Sequence, residues 1–256
     1  MQNKQFLFEI CANSVESCLA AQEGGANRVE LCAGIPEGGT TPSYGEIKMA
    51  RRLLNSTLLH VIIRPRGGDF LYSPLELERM ITDIEICKDL GVDGVVFGCL
   101  QSDGTIDMEA NAQLIKCAKG MNTTFHRAFD RCVYPQEALE QLIELGFNTV
   151  LTSGQQSTAL EGTDLLKTLY QQANNRIHIM AGCGINENNI KAIYEATHIH
   201  EYHFSARTTK PSDMQYFNPN IYMGTKNADE SHIQLTSAIR VRETIAALLQ
   251  EDVSTI

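Results

Sequence analysis

The chain has 256 residues, of which 43% are apolar and 20% are charged, enough for one large domain or two small ones with a full core. Its 21 basic residues against 31 acidic ones give a net charge of −10, which argues against a general nucleic-acid binder and against attachment to anionic lipid. No apolar run approaches the roughly 20 residues of a membrane helix. The N-terminus lacks the long apolar region of a signal peptide, so we expect a cytoplasmic protein without membrane partners.

Strand-like apolar runs alternate with helical patterns along most of the chain. The runs begin near residues 6, 28, 58, 94, 121, 148, 177 and 201. Most of the segments between them have the periodicity of helices, and several of these end at a glycine. Eight such units predict an α/β fold, a closed (β/α)8 TIM-type barrel, formed by residues 1–256 as a single domain. The alternative is an open doubly wound sheet, but the first strand is not followed by the glycine fingerprint of that fold.

The C-terminal part departs from this alternation. Residues 208–229 are polar and rich in turn-forming residues, and they include scattered aromatic side chains. A segment of this length is too long for a plain connector, so we expect a lid over the barrel mouth or an arm onto a partner. A final helix is predicted from about Ser231 to Leu249.

One short pattern occurs twice near the N-terminus, as Glu9-Ile10-Cys11 and as Glu30-Leu31-Cys32. Side chains two residues apart in a strand point to the same face, so both acids and both thiols are expected at one end of neighbouring strands. Thiolates are soft ligands that select ions such as Cu(I), and Cys11 and Cys32 are therefore candidate metal ligands. The alternative is that both cysteines are small buried apolar residues. None of the eight cysteines forms a C-x-x-C pair, which predicts free thiols.

Other strand ends carry residues suited to acid–base chemistry or to anion binding. Glu9, Glu30 and His126 are candidates for a general acid and base, since two carboxyl groups in one barrel mouth would have different pKa values. Candidate anion ligands are Arg64, Arg66, Arg127 and Arg207. The alternative for the glutamates and arginines is ion pairing, and the alternative for His126 is a hydrogen-bonded histidine inside the barrel. Two further histidines, His60 and His203, face inward by strand parity but deeper in the barrel, and we interpret them as structural.

These segments resemble the CutC family, named for copper homeostasis. The matching motifs are Glu9-Ile10-Cys11, Gly25–Cys32, Glu37–Ser43, Ile63–Phe70, Phe125–Asp130 and Val150–Gly154. The resemblance extends from residue 9 to about residue 207 and implies a cytoplasmic TIM-type barrel that handles copper and is often a homodimer. It also implies that Cys11 and Cys32 occupy the family's proposed Cu(I)-binding positions. No catalysed reaction is established for the family.

Three functions therefore follow from the sequence. The first is a copper-binding homeostasis protein with Cu(I) between Cys11 and Cys32. The second is an enzyme that acts on a small anionic, phosphorylated substrate through Glu9, Glu30 and His126. The third is an interaction module that uses the arm at 208–229.

Overall fold

A computed structural model describes residues 6–218, 220–221, 223 and 229–249 of the chain. Eight parallel strands close into a barrel, because the first strand pairs with the eighth as well as with the second. The predicted (β/α)8 architecture is confirmed. The barrel strands are β1 (Leu7–Ala12), β2 (Arg28–Leu31), β3 (Leu58–Ile62), β4 (Gly94–Phe97), β5 (Asn122–Phe125), β6 (Thr149–Thr152), β7 (His178–Gly182) and β8 (Glu201–Phe204).

Helices connect the strands and cover the outside of the barrel. The Ser14 and Ser43 hydroxyl groups cap the first two helices, and Ser73 with Glu76 forms a capping box on the third. None of the described helices has both the length and the apolar character of a membrane span. The helices are α1 (Val15–Glu23), α2 (Tyr44–Leu53), α3 (Pro74–Asp89), α4 (Met108–Cys117), α5 (Pro135–Leu145), α6 (Thr163–Ala173), α7 (Ile190–Thr197) and α8 (Ala238–Leu249).

The alternation of side chains along each strand separates an apolar layer from a polar interior. Phe8, Ile10, Val29 and Leu31 are buried in the apolar core, as the strand parity predicts. Burying each large apolar side chain contributes about 1.5–3 kcal/mol to folding. Glu9 and Glu30, which lie between these apolar residues on β1 and β2, are also buried.

The buried charges of β1 and β2 are paired. Glu9 is fully buried and forms an ion pair with Arg28, and the Arg28 Nη2 lies 3.2 Å from the Met180 sulfur. His60 packs so closely over β4 that a Cβ atom at Gly94 would clash with its imidazole ring, so this position requires glycine. The buried side chains of Glu9, Arg28 and His60 are thus in close contact with groups on neighbouring strands.

The C-terminal segment differs from its prediction. Strand β9 (Arg207–Pro211) pairs antiparallel with β10 (His232–Thr236), so part of the arm is a two-stranded sheet. The final helix begins at Ala238 instead of Ser231, because residues 232–236 pair with a strand about 25 residues earlier. Residues 219, 222 and 224–228 of the predicted arm lie outside the described residues.

Candidate functional site at the barrel mouth

A cavity of about 570 Å³ opens at the C-terminal ends of the strands, where barrels of this type bind their ligands. Most of the predicted site residues line it, and Glu9 and Arg66 are the two that do not. The predicted residues on its wall are Cys11, Glu30, Cys32, Arg64, His126, Arg127 and Arg207.

Two thiols meet on one side of this cavity. The sulfurs of Cys11 and Cys32 are 3.9 Å apart, and neither cysteine is in a disulfide. In the parallel register of β1 and β2, Cys11 lies opposite Glu30, so Cys32 is two residues further along. The side chains therefore approach each other diagonally across the strand pair. Cys32 is buried, whereas Cys11 is partly exposed to the cavity.

The two thiols differ in their tendency to ionise. Hydrogen bonding from the Cys32 thiol and the neighbouring His203 hold the pKa of Cys11 well below its usual range, although burial opposes this. The same hydrogen bond, together with burial, raises the pKa of Cys32 well above its usual range. Ionisation of the pair therefore begins at Cys11, whose thiolate accepts a hydrogen bond from the thiol of Cys32.

His203 connects the thiols to the buried carboxyl groups. Its Nδ1 lies 2.7 Å from Glu9 Oε1, and its Nε2 lies 3.6 Å from Glu30 Oε2. Burial disfavours the imidazolium, but hydrogen bonding with Cys11 and Glu9 outweighs it and raises the pKa of His203 well above its usual range. The sequence predicts a structural role for His203, but this residue lines the cavity. Strand parity places it inside the barrel; only the pairing of Glu9 with His203 across β1 and β8 reveals the contact.

Glu9 and Glu30 are in different electrostatic environments. Burial disfavours ionisation of Glu9, but Arg28 and His203 more than compensate and lower its pKa. Burial dominates at Glu30 and raises its pKa to about 8. At neutral pH, Glu9 is therefore a carboxylate held by its partners, whereas Glu30 carries a proton beside the thiols.

Among the residues that the structure describes, two groups of side chains bring potential metal-ligand atoms within 4.8 Å of one another: Cys11, Glu30 and Cys32; and Glu9, Glu30 and His203. The first group contains two soft sulfur ligands, and the second contains only oxygen and nitrogen. The thiol pair is therefore the part of the cavity suited to a soft metal ion.

The sequence profile of the CutC family matches residues 6–208. The chain belongs to the CutC family. A family protein CutC of Bacteroides thetaiotaomicron is 60% identical over 246 residues, covering 96% of this chain and 99% of that protein. Another from Porphyromonas gingivalis is 54% identical, covering 94% and 97%.

A solved structure of a protein named CutC agrees with this membership. The crystal structure of a Streptococcus agalactiae protein, assigned to copper homeostasis under the name CutC, is known, and the sequence of that protein is 37% identical to this chain. It superposes with a TM-score of 0.75 and covers 78% of this chain and 99% of its own. Phosphoribosylanthranilate isomerase of Thermotoga maritima, with a TM-score of 0.58 and 11% identity over 96% of this chain and all of its own, shares the fold alone.

The four predicted arginines of this CutC-family barrel have different surroundings. Arg66 lies off the cavity wall and pairs with Glu76 at 2.6 Å and Asp69 at 3.0 Å. Arg127 pairs with Asp130 at 2.7 Å at the cavity edge, so the ion pairing considered from the sequence holds for these two. Arg207 and Arg64 line the cavity and form no ion pair with any carboxylate of the described part of the chain.

Proposed function

We propose that this CutC-family protein binds Cu(I) between the sulfurs of Cys11 and Cys32 and serves copper homeostasis. Copper is the cargo in this proposal, and the barrel mouth is where it enters. The observation that supports it is the distance of 3.9 Å between the two sulfurs at the wall of an open cavity.

The spacing of the sulfurs fits a shared metal ion. Metal–thiolate bonds are about 2.3 Å long in zinc sites, so two thiolates on one ion lie about 3.8 Å to 4.6 Å apart as the bond angle opens from tetrahedral to linear. The observed separation of 3.9 Å falls inside this range. Thiolate sulfur is also the ligand type that Cu(I) prefers.

The second cluster is a poorer metal site. His203 must lose its proton to bind a metal ion, and its contacts with Cys11 and Glu9 favour the protonated form. Glu9 is already held by Arg28 and His203. We therefore assign these groups a supporting role, in which they fix the charge around the thiols.

Charge balance explains why a histidine whose contacts favour the protonated form lies beside the thiols. Binding of Cu(I) by both sulfurs requires Cys32 to release its proton, which leaves two thiolates and one cation with a net charge of −1. The positive charge of His203 offsets this excess in the buried site. Copper affinity is accordingly expected to fall as the pH falls.

A reducing compartment suits these thiols, and we propose a cytoplasmic location. Neighbouring strands lie about 4.8 Å apart and each residue advances about 3.3 Å, so a two-residue offset separates the Cα atoms of Cys11 and Cys32 by about 8 Å. Disulfides rarely span more than about 7 Å. The offset thus favours a metal bridge over a disulfide.

An anaerobic Cu(I) titration against a competing chelator tests the proposal. We expect wild-type protein to bind one equivalent, and the Cys11→Ser, Cys32→Ser double variant to bind about 100-fold more weakly, or about 2.7 kcal/mol. Cys117→Ser is the matched control, because Cys117 lies on α4 away from the cavity. Equal binding by wild type and the double variant, or no binding by wild type, would rule the proposal out.

An enzyme acting on a small anionic substrate is the second candidate function. Glu30, whose pKa is about 8, carries a proton suited to general acid catalysis in a cavity bordered by arginines. Two of the predicted catalytic groups are less suitable: Glu9 is held in ion pairs, and burial with the charge of Arg64 lowers the pKa of His126 to about 3. Copper binding therefore remains the first proposal.

A further inference from the structure

Arg64 is a buried cation without an anionic partner. Arg64 lies two residues after the end of β3 and is 4% exposed. Its Nη1 donates to the carbonyl oxygens of Glu37 and Gly39, at 2.7 Å and 2.8 Å, and its Nη2 donates to that of Gly68 at 2.9 Å. No carboxylate of the described residues pairs with it, and its Nε makes no hydrogen bond of normal geometry, although the Tyr72 hydroxyl is a polar neighbour of Arg64. Buried charges are normally paired, so this position calls for an anion.

His126 supplies an unused hydrogen-bond donor on the same cavity. It is 4% exposed at the end of β5, and its Nδ1 accepts a hydrogen bond from the backbone N–H of Ala128 at 3.3 Å. In the neutral ring the proton then resides on Nε2, which is buried and has no partner. Burial, together with the charge of Arg64, lowers the pKa of His126 and keeps the ring neutral, so the ring carries a single N–H proton.

The surroundings of these two residues favour a negatively charged molecule larger than a metal ion. Phe70 packs against both, with the Arg64 guanidinium 5.0 Å and the His126 ring 4.9 Å from its ring centre.

The charged side chains that line the rest of the cavity are of both signs. The positive ones are Arg127, Arg131 and Arg207, and the negative ones are Asp130 and Glu37. Asp130 is already occupied by Arg127 and by hydrogen bonds from Ser153 and Thr152.

The part of the cavity wall formed by Arg64, His126 and Arg127 has room for a small ligand and lies apart from the thiols. The cavity of about 570 Å³ is in the range of pockets that hold small organic ligands. In the closed barrel β5 is four strands away from β1, so His126 and Arg127 lie across the mouth from Cys11. A ligand on this wall need not displace a metal ion from Cys11 and Cys32.

We propose that Arg64, His126 and Arg127 form a binding site for the oxyanion group, phosphate or carboxylate, of a small organic molecule. The His126 Nε2–H donates to the oxyanion, and Arg64 supplies the buried charge. The Nε of Arg127 is held by Asp130 and its Nη2 by Ser153, so Arg127 completes the site at the rim through its Nη1. This site goes beyond copper binding and does not depend on it.

Isothermal titration of the metal-free protein with glycerol 3-phosphate and with glycerate tests the site, and glycerol serves as the uncharged control. We expect saturable binding of at least one of the two anions, and their relative affinities identify the preferred oxyanion. Arg127→Gln and His126→Phe should each weaken binding at least tenfold; the phenyl ring keeps the packing on Phe70 but cannot donate. Arg66→Gln is the matched control and should change binding less than twofold, because Arg66 is off the cavity wall.

The outcomes separate this site from the copper site. The Cys11→Ser, Cys32→Ser variant should keep its affinity for the anion within about twofold, whatever the result of the copper titration. Absence of saturable binding of both anions, or loss of affinity in Arg66→Gln equal to that in Arg127→Gln, would overturn the proposal. Should His126→Phe fail to fold, Arg127→Gln decides alone, because Arg127 is exposed at the rim.

Discussion

His203 is the residue on which the chemistry of the thiol pair depends. It contacts Glu9 directly, lies near Glu30, and favours the thiolate of Cys11. Ionisation of Cys11 beside a neutral ring would leave a buried negative charge with less compensation. His203 is therefore a positioning residue that adds to the effect of Cys32 in favouring the thiolate of Cys11, without being needed as a ligand.

Substitution of His203 by Gln should raise the pKa of Cys11. The folded wild type holds this pKa below its usual value, so the thiolate persists as the pH falls, and the variant should lose the thiolate at a higher pH. At any pH below the pKa, a tenfold weaker acid has a thiolate fraction about tenfold smaller. The pH profile of Cys11 alkylation by iodoacetamide, followed by peptide mass spectrometry, measures this directly. His126→Gln is the control; a profile that is unchanged in His203→Gln would contradict the role assigned to His203.

Single residues show where sequence reasoning succeeds and where it stops. The spacing of Glu9 from Cys11 and of Glu30 from Cys32 is enough to place both thiols at one end of adjacent strands, because strand parity is local. The role of His203 depends on a contact with Glu9, 194 positions away in the chain, that exists only once β8 closes the barrel against β1. Likewise, nothing in the spacing distinguishes Arg64, which has no carboxylate partner among the described residues, from Arg66, which is paired.

At the scale of elements, the β9–β10 hairpin is fastened to the start of α1. The Ser17 hydroxyl accepts a hydrogen bond from the Thr236 backbone N–H at 3.0 Å and donates to Asn13 Oδ1 at 2.8 Å. The Asn13 Nδ2 in turn donates to the Gln234 carbonyl at 2.9 Å. These contacts hold the hairpin beside the segment that directly follows Cys11.

Ser17→Ala should loosen this junction. The substitution leaves the buried Thr236 N–H without an acceptor, which should lower the free energy of unfolding by about 1–3 kcal/mol. Urea denaturation measures the loss, and amide exchange should become faster at residues 232–236. Ser102→Ala, at an exposed position, is the control and should stay within about 0.5 kcal/mol of wild type. If Ser17→Ala and Ser102→Ala have the same free energy of unfolding, the hydrogen bonds at this junction do not stabilise the fold.

The hairpin also marks the limit of prediction at this scale. An α-helix lies between each of the first seven barrel strands and the next strand, so the local alternation of patterns is sufficient to predict the barrel. Strand β10 pairs with a strand that precedes a long polar segment, and its side chains are largely exposed, so it lacks the alternating burial that identifies a strand. The helical pattern of α8 therefore extends backwards over it in the sequence prediction.

For the whole molecule, the exposed apolar side chains of the segment after β9 are relevant to assembly. Met214, Tyr216 and Phe217 are all exposed, and Tyr216 retains 73% of its accessible surface. Clustered exposed apolar groups are typical of contact surfaces between proteins. We expect the chain to form a homodimer through this segment.

Sedimentation equilibrium at about 10 μM checks this expectation, a concentration at which a specific dimer with a Kd near 1 μM is well populated. Wild type should sediment as a dimer, and the Met214→Ser, Tyr216→Ser, Phe217→Ser triple variant as a monomer, because the polar side chains remove the apolar area that association would bury. Leu75→Ser is the matched control: Leu75 is 68% exposed on α3, and its loss should leave the dimer intact. A monomeric wild type would refute dimer formation, whereas a dimeric triple variant would move the interface to another face of the barrel.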